Sequence, residues 1–178
     1  MKIFSQQKKI LIIKFGGLGD IVLSLDAIFS IIKHHKISTT LLTEKPFDQF
    51  LERSKWFDEI YTIRRSFFYF NDIMQIKRSI NSSEFDFVYD LQTSKRSSSY
   101  LKLFKREKAI TNGIGKYAKV CHSDQNRNSM HTLLRQRDQI SLSRVKPLSK
   151  INFSWIFKSN YNVPKKKFIM VVPGGSRK

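Results

Sequence analysis

The sequence predicts an α/β fold, a mostly parallel β-sheet with helices packed against it. Three observations lead there. Ile10, Leu11, Ile12 and Ile13 form a short apolar, largely β-branched run, the composition of a strand buried on both faces. Gly16, Gly17 and Gly19 follow at once, and from Leu18 onward Ile21, Val22, Leu25, Ile28, Phe29 and Ile32 recur at helical spacing. Short apolar runs then alternate with helix-period stretches down the chain, which implies βαβ units joined by right-handed crossovers.

The elements follow in order. A second strand is expected over 37–42, and Pro46 suits the first turn of a short helix over 47–53. Residues 59–64 alternate as a third strand, and Phe70, Ile73, Met74, Ile76 and Ile80 set a helix over 70–79. A fourth strand is expected over 86–92, then a helix over 97–104 with Tyr100, Leu101 and Phe104 turned inward. A fifth strand over 108–112 ends at Gly113 and Gly115, and a helix covers 131–142. Residues 146–163 carry Phe153, Trp155, Ile156 and Phe157 without a clean period, so no element is assigned there. Pro164 and the three lysines after it read as a linker, and 168–172 as a strand entering the turn Pro173, Gly174, Gly175, Ser176. This pattern predicts one domain over 1–163, and over 164–178 a linker with the opening strand and turn of a truncated second domain. Without its own sheet, that last strand is expected to make the isolated chain prone to aggregation.

Composition narrows the function. The chain has 178 residues and 15 phenylalanines, enough for one well-filled core. It carries 33 Lys+Arg against 14 Asp+Glu, a formal charge of +19. Such a balance suits an anionic partner: nucleic acid, an acidic membrane surface or a phosphorylated substrate. Residues 91–150 concentrate it, with fourteen basic side chains and three acidic ones. In a parallel sheet the loops of that region lie beside the glycine turn. Cys121 stands alone, which excludes a disulfide framework and reads as a small buried hydrophobe. No apolar run reaches membrane-spanning length, and no His/Cys cluster has metal-ligand spacing, so no metal site is expected.

The glycine turn matches neither the G-x-G-x-x-G dinucleotide fingerprint nor a P-loop. Asp20 lies in the first turn of the helix that follows, at the carboxyl end of the first strand, where open α/β sheets bind ligands. A carboxylate at a helix start is also a common structural device, so position alone leaves both readings open.

The segment running from Ile10 through Lys14-Phe15-Gly16-Gly17-Leu18-Gly19-Asp20 to Leu25-Asp26-Ala27 resembles the amino-terminal signature of glycosyltransferase family 9, the ADP-heptose:lipopolysaccharide heptosyltransferases. The family usually carries Leu-Pro-Ala where this chain has Leu25-Asp26-Ala27. The resemblance implies the amino-terminal half of a GT-B fold, with two Rossmann-like domains in the complete enzyme. It implies inverting, metal-independent chemistry without a cofactor and with Asp20 as catalytic base. Gly16 and Gly17 would then line the substrate. Arg64 and Arg65, after the third strand, resemble the family's paired arginines that meet a phosphorylated acceptor. Gln92 and Arg96 fall in a segment resembling the family's Asp-x-Gln and Lys-Ser motif. Arg127, His131 and Arg135 resemble its Asn-Arg and His-x-x-x-Arg patterns. Gly174, Gly175 and Ser176 resemble the turn that contacts the donor's phosphates.

What the resemblance implies overall is transfer of a sugar, with ADP-heptose as donor, to an anionic lipopolysaccharide inner core. The protein would lie in the cytoplasm, in peripheral contact with the inner face of the cytoplasmic membrane, and the 178-residue chain by itself would be inactive. Two alternatives stay open on residues alone: a basic nucleic-acid-binding domain, and a nucleotide-binding Rossmann domain of another enzyme.

Overall fold

The computed structural model describes residues 8–64, 67–81, 84–104, 109–156, 167 and 169. They form a six-stranded sheet in the order β3-β2-β1-β4-β5-β6, with every pairing parallel. The strands are β1 (Lys9–Ile13), β2 (Ser38–Thr43), β3 (Glu59–Thr62), β4 (Phe87–Asp90), β5 (Ile110–Gly113) and β6 (Val120–Cys121). The helices are α1 (Leu18–His35), α2 (Phe47–Glu52), α3 (Tyr69–Ser79), α4 (Lys95–Tyr100) and α5 (Thr132–Ser141). This is the Rossmann-like order in which the chain turns back at β1 and winds outward again from β4.

The unbroken apolar run of β1 is explained by burial on both faces. Leu11 and Ile13 pack with Leu42, Ile73, Ile76, Val88 and Tyr100 beneath α3 and α4. Ile10 and Ile12 pack with Ile21, Leu25, Ile28, Leu41, Tyr89 and Ile140 beneath α1 and α5. Successive strand residues point to opposite faces, so neither layer tolerates a polar residue at these positions.

Several boundaries differ from the sequence expectation, each for a local reason. The helix expected over 97–104 begins at Lys95, because Ser94 and Ser97 form a reciprocal capping box, and it tightens into a 3₁₀ turn over Leu101–Phe104. The third strand stops at Thr62, leaving Ile63 and Arg64 in the loop beyond it. Phe70 fits the helical period but faces outward, since α3 buries Asp72, Ile73 and Ile76 instead. Cys121 is half-buried on the edge strand β6, which at two residues has no periodicity to read. Phe153, Trp155 and Ile156 pack on the α1/α5 layer around a 3₁₀ turn, with Arg53 donating to the Trp155 and Ile156 carbonyls at 3.0 and 3.1 Å. The predicted division at residue 163 and the final strand and turn lie outside the described residues.

Buried polar groups fasten the helices. Asp72 is fully buried in α3 and accepts from Arg96 Nε of α4 at 2.7 Å, from the same guanidinium at 2.5 Å, and from the Tyr100 hydroxyl. Burial together with that carboxylate raises the Tyr100 hydroxyl well above its ordinary range. Removing the cation would take a charge partner from a buried carboxylate. Arg96→Ala is therefore expected to cost about 3 kcal/mol, read as a lower urea midpoint at unchanged slope. The double replacement Asp72→Leu/Arg96→Met should recover most of that loss. An unchanged midpoint for Arg96→Ala would contradict the role given to the pair.

Candidate active site at the carboxyl edge of the sheet

Because all six strands run the same way, the loops after β1, β2, β3, β4 and β6 open on one edge. At its centre the glycine turn leaves β1. Gly16 donates its N–H to Glu44 Oε1 at 2.9 Å, and a Cβ at Gly16 would meet the Phe47 ring at 2.1 Å, so glycine is required there by close approach. Around Gly17 and Gly19 the opposite holds: an added Cβ would meet nothing within 4 Å. Gly17 caps α1 with no side-chain hydrogen bond. Among the described residues, the first N–H groups of this long helix therefore have no side-chain acceptor. Asp20 stands exposed in that first turn, and among the described residues no hydrogen bond or ion pair engages its carboxylate.

The loop after β4 forms the other wall. Gln92 takes up a clamping position: its Oε1 accepts from Phe15 N at 3.2 Å, and its own N–H reaches Ile13 O at 3.2 Å, tying the ends of β1 and β4 together. Asp90 is completely buried behind it. Its carboxylate accepts from the N–H groups of Gln92 and Thr93 at 3.1 and 3.0 Å and from the Ser97 and Ser98 hydroxyls at 3.0 and 3.3 Å. Burial outweighs these donors and pushes Asp90 from its ordinary 3.8 up to about 6.

The cations are distributed along the edge. Arg64, after β3, is exposed, and its backbone is held by Gln75 at 2.9 and 3.0 Å. It lines a cleft of about 570 Å³ with Glu44, Lys45, Thr62, Ile63 and Gln75. Arg65 lies outside the described residues. Arg96 turns its guanidinium to Asp72, as above. Arg127, only 7% exposed, donates through Nε to His122 Nδ1 at 3.0 Å, so His122 holds its proton on Nε2 and donates it to Asp138 at 2.7 Å. Burial, and then the neighbouring Arg135, lower Arg127 below the ordinary guanidinium range. Arg127 Nη2 and Arg135 Nε are both buried without a hydrogen-bond partner among the described residues. His131 caps α5, accepting from Leu133 N at 3.4 Å through Nδ1.

The edge thus gathers Asp20, Gly16, Gly17 and Gln92 at the β1/β4 crevice, with Arg64 to one side and Arg127, His131 and Arg135 to the other. Arg64 follows β3 and Arg127 follows β6, so about five interstrand spacings, roughly 24 Å, separate the two ends. Glu44 and the His122–Asp138 pair were not singled out by sequence reasoning, whereas Asp90 is the aspartate of the segment resembling the Asp-x-Gln motif. The signal for Glu44 was slight: an acid directly after β2. Gly174, Gly175 and Ser176 lie outside the described residues. Among the described residues no group of three His, Cys, Asp or Glu side chains is placed to hold a metal ion. No helix among them is long and apolar enough to cross a membrane.

No protein-family model and no curated protein matches the sequence. Solved structures do share the fold. One is a glycosyl transferase of family 9 from Veillonella parvula, similar over 78% of this chain and 42% of that one, with a TM-score of 0.63 and 18% identity. Another is the E. coli heptosyltransferase WaaC with ADP-2-deoxy-2-fluoro heptose, similar over 83% of this chain and 52% of that one, with a TM-score of 0.60 and 14% identity. The same enzyme with ADP gives the same score and identity over 51% of its length. At these identities the likeness is one of fold, and the chain spans about half the length of the structures it matches.

The site's titration has a definite sign. Between about pH 4 and 6 folded Asp90 keeps a proton that the unfolded chain has lost, so its contribution to stability falls as pH rises through that window. His35, lowered to about 4 by burial and then by the His34 charge, acts oppositely: folded His35 has released a proton that the unfolded chain holds, so its contribution rises with pH. Asp90→Asn should therefore gain stability relative to wild type on going from pH 4 to 7, by on the order of 3 kcal/mol. His35→Gln should lose its relative advantage over the same range. Thermal melts across that pH range test both, and parallel wild-type and Asp90→Asn curves would contradict the assignment.

Proposed function

We propose that this chain is the acceptor-binding domain, the amino-terminal half of a GT-B arrangement, of a glycosyltransferase that moves a sugar from a nucleotide-sugar donor to a phosphorylated saccharide. The donor is ADP-heptose and the acceptor a lipopolysaccharide inner core, reached at the inner face of the cytoplasmic membrane. The observation that carries this reading is an exposed, unengaged Asp20 on an open glycine turn at the β1/β4 crevice. The fold shared with a family 9 glycosyl transferase and a heptosyltransferase supports it.

The chemistry follows from the groups available. An acceptor hydroxyl attacks the donor's anomeric carbon as the bond to the diphosphate oxygen breaks. Asp20 takes the hydroxyl proton, the new glycosidic bond carries inverted configuration, and ADP leaves with both electrons of the broken bond. Unshielded N–H groups at the start of α1 and the cationic side chains along the edge hold anionic groups of the acceptor in register. No metal or cofactor enters this reading. In this reading the leaving diphosphate belongs to a second domain, which would open at Gly174, Gly175 and Ser176.

Calorimetric titration of a soluble, de-acylated phosphorylated inner-core oligosaccharide into the chain tests this. Saturable, salt-sensitive binding is expected. Arg64→Ala should weaken it roughly tenfold, the loss of one charge-assisted contact. Asp20→Ala should leave it within about threefold, because a base acts on the transition state rather than on ground-state binding. No saturable binding, or equal losses for the two variants, would overturn the proposal.

A further inference from the structure

Three phenylalanines stand in water on one side of the molecule. Phe67 is 93% exposed, Phe68 67% and Phe70 69%. They occupy the approach to α3 and its first turn, and the Phe67 and Phe68 rings meet edge to face at 5.5 Å. The other exposed large apolar residues among those described are aliphatic and lie elsewhere in the sequence. Aromatic surface of this kind, gathered on one short segment, marks an interaction site.

The exposed charges at Arg64 and within residues 67–81 are all positive. Arg64, Lys77 and Arg78 are exposed, whereas the one acid among residues 67–81, Asp72, is fully buried against Arg96 and Tyr100. Arg64 and Arg78 also line a shallow groove of about 520 Å³ with Phe70, Asn71, Met74 and Gln75. That groove shares Arg64 and Gln75 with the cleft beside Glu44, whose carboxylate holds the Gly16 N–H. The aromatic face therefore continues directly into the carboxyl edge of the sheet.

We propose that this face docks on an anionic lipid bilayer. Phe67, Phe68 and Phe70 enter the boundary between headgroups and acyl chains, and Arg64, Lys77 and Arg78 meet lipid phosphates. A headgroup carried on a membrane-anchored acceptor then enters past Arg64 toward Asp20. This last step rests on the acceptor reading above, whereas the bilayer contact does not. Single-stranded nucleic acid fits less well. Both faces of the sheet are buried under helices, so no aromatic stacking platform is open on the strands, and the Phe67–Phe68 pair packs edge to face.

Cosedimentation of the full chain with vesicles of phosphatidylcholine, with and without phosphatidylglycerol, tests the proposal. Binding is expected only to the vesicles containing phosphatidylglycerol. The triple variant Phe67→Ala/Phe68→Ala/Phe70→Ala should weaken it roughly tenfold or more, and the triple leucine variant should restore most of it. Lys77→Gln/Arg78→Gln should weaken it roughly tenfold at low salt and much less at high salt. Melting temperatures of all variants should stay close to wild type, because the altered side chains are exposed. The proposal fails if wild type ignores the anionic vesicles or if the alanine variant binds them as wild type does. It also fails if an RNA oligomer displaces the vesicles and the phenylalanine variants lose RNA binding by the same factor. These vesicles carry no saccharide, so failure here leaves the oligosaccharide titration standing, and failure of that titration leaves this one standing.

Discussion

Parallel pairing of β1 with β2 on one side and β4 on the other constrains the rest of the structure. Ile10, Leu11, Ile12 and Ile13 are all inaccessible to solvent, so both faces of β1 must be covered and each connection must cross over a face. Every strand then ends on the same edge. Between β1 and β4 the connections diverge to opposite sides of the sheet, the place where open α/β sheets leave a crevice. The open surroundings of Gly17 and Gly19 and the exposure of Asp20 follow from that topology as much as from the glycines themselves.

A second requirement is that the loops around the opening hold still. Buried polar groups meet it. Gln92 bridges the ends of β1 and β4, and Glu44 holds the turn at Gly16. Asp90 gathers two backbone donors and two serines behind the β4 loop, while Gln139 of α5 donates to Asp90 O at 2.9 Å and to Asn112 Oδ1 at 2.9 Å. Gln136 reaches Ser24 of α1 at 2.9 Å and Leu91 O at 3.2 Å. Each of these groups would be costly to leave unpaired, so the network resists distortion of the loops it holds. Asp90 accepts a raised proton affinity as the consequence of lying so deep.

Much of this was legible in the sequence. The β1–turn–α1 unit declares itself because a buried strand, a glycine turn and an amphipathic helix have three distinct periodicities side by side. The order of strands and helices follows from the same alternation. What periodicity does not encode is the choice of partner across the fold. Arg96 finds Asp72 on a different helix, and Arg127 finds His122 beneath α5. Phe70 keeps the helical spacing, yet α3 is rotated to bury Asp72 with Ile73 and Ile76. β6 is too short to show a period, and Glu44 gains its role only when Gly16 folds against it. The residues placed correctly on the edge by sequence are thus those defined by their own strand ends. Those whose environment depends on tertiary contacts needed the structure.

The central claim is that ligand recognition is confined to the carboxyl edge around the β1/β4 crevice. Amide chemical shifts of the isotopically labelled chain, followed during titration with a phosphorylated amino sugar such as glucosamine 4-phosphate, test it most directly. The account predicts saturable shifts at Gly17, Gly19, Asp20, Arg64, Thr93 and Ser94, with Lys9, Ile37 and Asp86 at the opposite edge unmoved. Shifts centred on Lys9, Ile37 and Asp86, or spread evenly over the basic surface, would contradict it.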